Sequence, residues 1–415
     1  MQITMMLSHI KILFLIFLFF NGCGTNKPGS PPENGEETTI IATTTEQAKD
    51  LQTGASLTAQ YLDLIRGKKV ALLVNQTSMI GDTHLADSLI SLGIAVQKIF
   101  APEHGFRGEA DAGEQVKDGK DAKTGIPLIS LYGDKKKPGK AELAGIDIVV
   151  FDIQDVGVRF YTYISTMSYV MEACAENGVE FMVLDRPNPN GHYVDGPVLK
   201  KGFESFIGLH PIPVVHGMTV GEYAQMVNGE GWLKEGIQCN LKVIQCANYD
   251  HDTAYELPVK PSPNLPNNRA IYLYPSLCFF EGTLVNVGRG TDKQFQVYGH
   301  PTYLGGDYKY TPKSMPGAKH PKFEDKECHG YDLTTLSPED IRKEARLNLN
   351  YLINYYKTFP KGEEFFLKNN FFDKLAGSNE LRFQIISGLD AETIRKGWRK
   401  DIAAFKILRK KYLLY

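Results

Sequence analysis

Short apolar runs alternate with helical segments from Leu62 onward, and this alternation narrows the possible folds. Strands are predicted at residues 69–74, 95–100, 126–131, 148–153, 180–184 and 241–246, and helices at 82–92, 140–143, 164–177 and 219–228. Strands that are joined through helices form βαβ units, in which the strands run parallel. The sequence therefore predicts an α/β fold with a Rossmann-like, mostly parallel sheet and flanking helices.

The sequence changes character after about residue 285. Gly, Tyr, Pro and Lys dominate up to about residue 330, and helical patterns follow at 337–357 and 391–415. Ser337 and Pro338 form a typical helix start, with the serine as N-cap and the proline in the first turn. We therefore predict a catalytic domain over residues 56–285 and a smaller α+β auxiliary domain over residues 286–415.

Residues 1–22 are typical of a signal peptide. Lys11 precedes an apolar run at 12–20 that is too short to span a bilayer. Its end at Cys23 resembles a bacterial lipobox, in which the cysteine carries the lipid. An ordinary signal peptide with an unrelated cysteine is the alternative. Residues 23–55 predict a disordered tether. We expect an exported lipoprotein, anchored at the periplasmic face or the cell surface.

Charge and cysteine content exclude several classes of function. The 415 residues carry a formal net charge of −2, which argues against a nucleic-acid partner. No nucleotide-binding glycine fingerprint and no zinc-protease motif is present, so neither a cofactor nor a metal is expected. The cysteines after Cys23 contain no CxxC pair, which favours reduced buried thiols. Cys239 and Cys246 would form a disulfide only if they faced each other on paired strands.

Polar and aromatic side chains follow two of the predicted strands. The carboxyl ends of parallel strands meet at one edge of a sheet, where ligands bind. A partly desolvated carboxyl group there suits a general acid, and a guanidinium suits an anionic substrate group. Ion pairs within each loop, with no catalytic role, are the alternative interpretation. The candidates are Glu103, His104 and Arg107 after the strand at 95–100, and Gln154, Asp155, Arg159 and Tyr161 after the strand at 148–153.

Five further candidates lie later in the chain. Asn188 lies in a proline-rich turn, and His216 precedes a helix start, where anions are attracted. Asn264 can hydrogen-bond an acetamido or hydroxyl group. Glu281 is an alternative to Asp155 as second carboxylate, and Arg289 is an alternative to Arg159 as anion clamp. An ordinary structural role competes with each assignment.

These segments together resemble a known family, the NamZ-type exo-β-N-acetylmuramidases of glycoside hydrolase family 171. The resemblance implies a Rossmann-like catalytic domain, an auxiliary C-terminal domain, and neither metal nor nucleotide. It also implies removal of N-acetylmuramic acid from the non-reducing end of peptidoglycan fragments, with the active-site glutamate at Glu103. The matching stretches are residues 100–108, 130–133, 150–157, 159–163, 184–189, 216–222, 261–264, 281–283 and 288–291.

The residues and the resemblance lead to one mechanistic hypothesis. Glu103 protonates the glycosidic oxygen, while Asp155 or else Glu281 stabilises the oxocarbenium-like centre or activates water. Arg159 or Arg289 binds the lactyl carboxylate of muramic acid. His104 and Asn264 hold hydroxyl or acetamido groups. Retention, inversion and substrate assistance all stay open. A non-catalytic muropeptide-binding lipoprotein and a hydrolase of another amino sugar are the alternative functions, and the sequence does not predict an oligomeric state.

Overall fold

The computed structural model describes residues 50–106, 118–360 and 364–415. The predicted signal peptide, Cys23, most of the predicted tether and Arg107 lie outside these residues. The strands are β1 Lys69–Val74, β2 Met79–Ile80, β3 Thr83–His84, β4 Ala95–Ala101, β5 Gly119–Lys120, β6 Pro127–Ser130, β7 Ile148–Asp152, β8 Glu180–Leu184, β9 Leu241–Ile244, β10 Val297–His300, β11 Tyr308–Tyr310 and β12 Cys328–Asp332.

The helices surround these strands and continue to the end of the described chain. Short 3-10 helices form at Gly54–Ser56, Lys234–Gly236 and Cys278–Gly282. The α-helices are α1 Thr58–Ile65, α2 Leu85–Ser91, α3 Lys140–Leu143, α4 Tyr163–Asn177, α5 Val220–Gly229, α6 Asn268–Leu277, α7 Pro338–Glu344, α8 Asn350–Thr358, α9 Phe371–Ala376, α10 Glu380–Ile386 and α11 Ala391–Arg409.

Seven strands form one sheet in the order β5-β6-β4-β1-β7-β8-β9. All neighbours in this sheet pair in parallel except β5, which runs antiparallel to β6 at the edge. From β1 the chain moves outward through β4 to β6, and then returns to the other side of β1 to form β7. This is a doubly wound sheet with its topological switch point between β1 and β7, and it confirms the predicted Rossmann-like fold.

Alternating side chains of the central strands build the two layers of core. In β7, Ile148 and Val150 belong to the core cluster that contains Leu85 of α2, whereas Val149 and Phe151 belong to the cluster on the other face. Successive side chains of a strand point to opposite faces, so a strand covered on both sides must be apolar throughout. Helices α4 and α5 contribute to the second cluster, and this packing fixes where their first residues lie.

The later part of the chain is α+β, as predicted. It contains a three-stranded antiparallel sheet in the order β10-β12-β11, together with helices α7 to α11. Tyr298 of β10, Leu352 of α8 and Phe372 of α9 belong to the same core cluster as Phe151 of β7. The Rossmann-like part and the later part therefore share one continuous hydrophobic core.

Three local predictions are corrected. The helix predicted at 82–92 begins only at Leu85, because residues 79–84 form the hairpin of β2 and β3 and His84 caps the helix by accepting from the Ala86 amide at 3.1 Å. The helix predicted at 337–357 is two helices. It breaks at Ala345, where φ is 45°, and the Leu347 amide beyond donates to Asp195 Oδ2 at 2.8 Å.

The predicted tether also ends too late in the chain. The Gly54 amide donates to the Asp185 carbonyl at 2.8 Å, and Ala55 is fully buried, where its carbonyl accepts from the Tyr61 hydroxyl at 2.9 Å. Residues 52–55 therefore pack against the fold. The predicted thiols are confirmed for the described cysteines, which are all buried and free, including Cys239 and Cys246. No helix in the described ranges is long and apolar enough to cross a membrane.

Candidate active site

A cavity of about 730 Å³ lies at the carboxyl end of β4. Its walls come from the loops after β4 and β7 and from segments of the later part of the chain around residues 278–295, 317–322 and 371–375. The volume suits one or two sugar rings. Six of the predicted site residues line it: Glu103, His104, Tyr161, Asn264, Glu281 and Arg289.

Glu103 is held from the side of helix α4. The residue follows β4 in a tight turn, in which the Gly105 amide donates to the Pro102 carbonyl at 2.9 Å. The Thr162 hydroxyl donates to Glu103 Oε2 at 2.6 Å, and Thr162 directly precedes α4. The Rossmann-like part therefore carries one carboxyl group of the cavity in a defined position.

His104 adopts a backbone conformation that L-residues rarely take. Its φ is 68°, and its side chain is buried with Nε2 3.3 Å from Ser262 Oγ. A non-glycine residue in the left-handed region persists where its surroundings impose it, and such residues cluster at functional sites. The turn places Glu103 and His104 together on the cavity wall.

Glu281 and Arg289 form an ion pair in the wall segment around residues 278–295. Arg289 Nε and Nη2 donate to the two carboxylate oxygens of Glu281 at 2.6 and 3.1 Å. Burial alone would raise the pKa of the Glu281 carboxyl, but the Arg289 guanidinium outweighs it and the net shift is downward. Glu281 is therefore ionised. Arg289 Nη1 is buried and has no hydrogen-bond partner among the described residues.

Lys322 supports the turn that carries this ion pair. Its Nζ donates to the Thr283 carbonyl at 2.7 Å and to the Glu281 carbonyl at 3.2 Å. Burial lowers the pKa of Lys322 to about 8, although the nearby Glu281 carboxylate opposes that shift. The ammonium thus fixes the backbone of the wall while it adds positive charge to the cavity.

Asn264 and Tyr161 present different groups to the cavity. Asn264 Nδ2 donates to the Gly317 carbonyl at 2.8 Å, which leaves the buried Oδ1 without a partner among the described residues. The Tyr161 hydroxyl donates to the Pro261 carbonyl at 2.7 Å. Asn264 therefore offers an acceptor, whereas Tyr161 offers its ring.

The structure does not bring Gln154 and Asp155 to the cavity. Gln154 Nε2 donates to the carbonyls of Asp155 and Pro187 at 2.8 and 2.7 Å. Asp155 Oδ2 accepts from the Gly157 amide at 2.6 Å. Burial raises the pKa of the Asp155 carboxyl to about 7, although backbone hydrogen bonds from Gly157 and Val156 oppose that shift. Both side chains shape the backbone at the switch point of the sheet.

Arg159 is likewise turned away from the cavity. Only 1% of its surface is exposed, and its guanidinium donates to the carbonyls of Pro197, Ile212 and Leu375 at 2.8, 2.7 and 2.9 Å. The sequence predicts that Arg159 either binds an anionic substrate group or pairs with Asp155, but among the described residues it neither lines the cavity nor pairs with Asp155. The hydrogen bonds found instead join backbone segments that are far apart in sequence.

Asn188 and His216 also have backbone partners. Asn188 Nδ2 donates to the Met218 carbonyl at 2.9 Å. His216 Nδ1 accepts from the Met218 amide at 3.2 Å, and burial, assisted by Arg409 and Arg159, lowers the pKa of His216 to about 3. A neutral, enclosed imidazole of this kind supports the loop before α5.

Sequence reasoning misses Thr162 and Lys322. A threonine directly before an apolar helix is typical of an N-cap, so the pattern around Thr162 carried no sign of a link to Glu103. Lys322 lies in a lysine-rich segment in which nothing distinguishes it from exposed neighbours. Both links join residues that are distant in sequence.

Comparison with known proteins identifies the family of the chain. The family model for the N-terminal domain of the exo-beta-N-acetylmuramidase NamZ matches residues 70–269, and the model for its C-terminal domain matches residues 272–415. The boundary between them falls before the predicted boundary at residue 285. The chain is 37% identical over 423 residues to the peptidoglycan beta-N-acetylmuramidase NamZ of Bacillus subtilis (strain 168). This alignment covers 97% of this chain and 98% of that protein.

Two crystal structures share the fold. One is a DUF1343 family protein from Bacteroides fragilis NCTC 9343 at 1.30 Å, with 49% identity and a TM-score of 0.82. The other, from the same organism at 1.65 Å, has 30% identity and a TM-score of 0.72. Each comparison covers 88% of this chain and 99% of the other. The domain matches and the full-length identity show that this chain belongs to the NamZ exo-β-N-acetylmuramidase family.

Proposed function

We propose that the protein is an exo-acting glycoside hydrolase that releases N-acetylmuramic acid from the non-reducing end of peptidoglycan fragments during cell-wall recycling. The observation that carries this proposal is the pair of carboxyl groups, Glu103 and Glu281, on the wall of one sugar-sized cavity. Membership of the family and the identity to the Bacillus subtilis enzyme support the substrate.

The surroundings of the two carboxyl groups assign their roles. Glu281 is kept ionised by the bidentate contact with Arg289, so it is not the proton donor. Glu103 is then the general acid that protonates the glycosidic oxygen, a role that contributes roughly 10²–10⁴-fold to the rate. The Glu281 carboxylate is shared with Arg289, which favours stabilisation of positive charge in the transition state over direct attack on the sugar.

Arg289 is the residue best placed to recognise the lactyl carboxylate. Its Nε and Nη2 are bonded to Glu281, whereas Nη1 has no partner among the described residues. A carboxylate that accepted from Nη1 would satisfy this buried donor with a charge-assisted hydrogen bond. The lactyl group distinguishes muramic acid from glucosamine, so this contact would supply specificity.

Asn264 is suited to the acetamido group of the sugar. Its Nδ2 is bonded to the Gly317 carbonyl, which orients Oδ1 as the remaining acceptor. An acetamido N–H is a donor of the required kind, and a buried acceptor without a donor costs about 1–3 kcal/mol. The same contact would disfavour sugars that lack the N-acetyl group.

The location of the enzyme is a further part of the proposal. The sequence around Cys23 supports an exported lipoprotein whose lipid holds it at the periplasmic face or the cell surface. Replacement of Cys23 by alanine should move the protein from the membrane fraction to the soluble fraction of cells. A variant that stays in the membrane fraction would contradict the lipid anchor.

Product analysis tests the reaction. The purified protein is incubated with the disaccharide MurNAc-β-1,4-GlcNAc, and separately with GlcNAc-β-1,4-MurNAc, which presents glucosamine at the non-reducing end. We expect free N-acetylmuramic acid from the first disaccharide and no cleavage of the second. Saturable binding of the first without any released sugar would instead identify a binding protein, and cleavage of the second would refute the specificity.

A further inference from the structure

We propose that Thr162 is a positioning residue of the proton donor: its hydroxyl holds Oε2 of the Glu103 carboxyl group and directs the acidic proton to Oε1. The inference rests on the proposed function, because it concerns how Glu103 acts as a general acid. It begins with the bond from Thr162 Oγ1 to Glu103 Oε2 at 2.6 Å, which is within the range for short hydrogen bonds between oxygens.

The Thr162 hydroxyl does not cap helix α4, although a threonine at the N-cap position usually does. Thr162 is the N-cap residue of α4, but its φ and ψ are −76° and −6° and its side chain makes no hydrogen bond to the helix amides. Thr219, the N-cap of α5, shows the ordinary arrangement, with φ and ψ of −71° and 168° and a hydroxyl that accepts from the Glu222 amide. The Thr162 hydroxyl therefore bonds to the Glu103 carboxyl group and not to the amides of the helix.

Hydrogen bonds hold the segment around Thr162 on both sides. The neighbouring tyrosines, Tyr161 and Tyr163, donate from their hydroxyls to the same carbonyl of Pro261 at 2.7 and 3.2 Å. The Thr162 carbonyl accepts from the amides of Ser165 and Thr166, each at 3.0 Å. A donor mounted in this way needs little reorganisation during the reaction, which is the condition for efficient electrostatic stabilisation.

The chemistry explains why the contact assists the transition state. As the proton moves from Glu103 to the glycosidic oxygen, the bond from that oxygen to the anomeric carbon breaks and Glu103 becomes a carboxylate. A hydroxyl donor bonds more strongly to a carboxylate than to the neutral acid. The amino end of α4 adds a favourable partial charge on the same side. Thr162 therefore stabilises the state in which the proton has left Glu103.

The test uses Thr162→Val, which removes the hydroxyl and keeps the shape, and Thr162→Ser, which restores the hydroxyl. Thr166→Val is the matched control, because it removes a buried hydroxyl that donates to the Thr162 carbonyl at 3.4 Å and not to Glu103. Each variant is assayed with the disaccharide MurNAc-β-1,4-GlcNAc, whose leaving group needs protonation, and with 4-nitrophenyl β-N-acetylmuraminide, whose leaving group needs little.

We expect Thr162→Val to lower kcat on the disaccharide about 10- to 100-fold and on the nitrophenyl glycoside less than about 3-fold. The alkaline limb of its kcat/KM profile should move to higher pH by about half a unit or more, because the carboxylate has lost a donor. Thr162→Ser should return to within about 3-fold of wild type, and Thr166→Val should match wild type in both substrates.

Two outcomes would overturn the inference alone. The first is a Thr162→Val variant that retains wild-type rates on the disaccharide. The second is a variant that loses activity on both substrates equally with an unmoved pH profile, which would be a purely structural effect. A wild-type protein that releases no sugar from either substrate would overturn the proposed function, and this inference with it. Thermal melting of each variant separates loss of folding from loss of catalysis.

Discussion

The predicted site residues fall into two sets of polar side chains, which differ in what they contact. Glu103, Glu281 and Arg289 line the cavity and pair with other side chains. Gln154 and Arg159 lie outside the cavity lining, and their hydrogen bonds go to backbone carbonyls. Residues of the first set lie where a substrate in the cavity would contact them, whereas those of the second set hold loops. Residue type and strand-end position are therefore insufficient to identify a catalytic group.

Among variants in the two sets, Glu103→Gln should lower kcat the most. The glutamine keeps the shape but has no acidic proton to transfer, so kcat on MurNAc-β-1,4-GlcNAc should fall by about 10²–10⁴-fold. Product release measured over time checks the rate, and circular dichroism checks the fold. A folded variant with more than about a tenth of wild-type activity would remove Glu103 from the role of acid.

Glu281→Gln should have the next largest effect. The amide keeps one acceptor for Arg289 but loses the negative charge that faces the developing oxocarbenium ion, so kcat should fall by about 10²-fold. Asp155→Asn is the matched control, because it also changes a carboxyl group to an amide, at a residue that does not line the cavity. Equal losses in the two variants would show that the comparison does not separate catalytic from structural carboxyl groups.

Arg159→Lys should change stability and leave the chemistry nearly intact. An ammonium cannot reach three carbonyls that the planar guanidinium spans, so the free energy of unfolding should fall by about 3 kcal/mol. Urea denaturation measures this loss, and kcat per folded molecule should stay within about 3-fold of wild type. A specific rise in KM for muramic acid substrates without loss of stability would return Arg159 to the role of anion clamp.

Asn264→Ala should mainly weaken substrate binding. Loss of one hydrogen bond to the acetamido group corresponds to about 1.4 kcal/mol, or a KM roughly 10-fold higher, with kcat little changed. Initial-rate kinetics over a range of substrate concentrations separate the two parameters. An unchanged KM would mean that the Oδ1 acceptor faces no group of the substrate.

Asp155→Asn should have the smallest effect on activity and a distinct effect on pH dependence. Burial raises the pKa of Asp155 to about 7, so between about pH 4 and 7 the folded protein binds a proton that the unfolded chain lacks. The contribution of Asp155 to stability therefore decreases as pH rises through this window. The variant should gain stability relative to wild type by roughly 1 kcal/mol or more from pH 5 to pH 8, with kcat within about 3-fold.

Urea denaturation of both proteins at pH 5 and pH 8 measures the difference. Burial raises the pKa of Asp185 to about 6 and lowers that of His216 to about 3, but both groups are common to the two proteins, so their contributions cancel in the comparison. A stability difference that is the same at both pH values would mean that Asp155 is already ionised at pH 5. It would also place the carboxyl group in a more polar setting than the structure shows.

Most of the sheet was predictable because its signal is local. The buried strands are continuous apolar runs. The N-cap of α5 was predictable from Thr219 and from Glu222, which lies three residues later. The break between α7 and α8 was not predictable, because it depends on Leu347 bonding to Asp195, about 150 residues earlier in the chain. The roles of strand-end side chains were hidden for the same reason. Arg159 reaches the Leu375 carbonyl, 216 residues away, and no local pattern encodes that contact.

The continuous core has a practical consequence for dissecting the protein. The family models divide the chain near residue 270, yet Phe151 of the first segment and Phe372 of the second belong to one apolar cluster. A cut at that boundary would expose buried aromatic surface on both fragments, and such surfaces drive aggregation. Separate expression of the two segments should therefore yield insoluble chains, whereas co-expression gives them the chance to reassemble as a split enzyme.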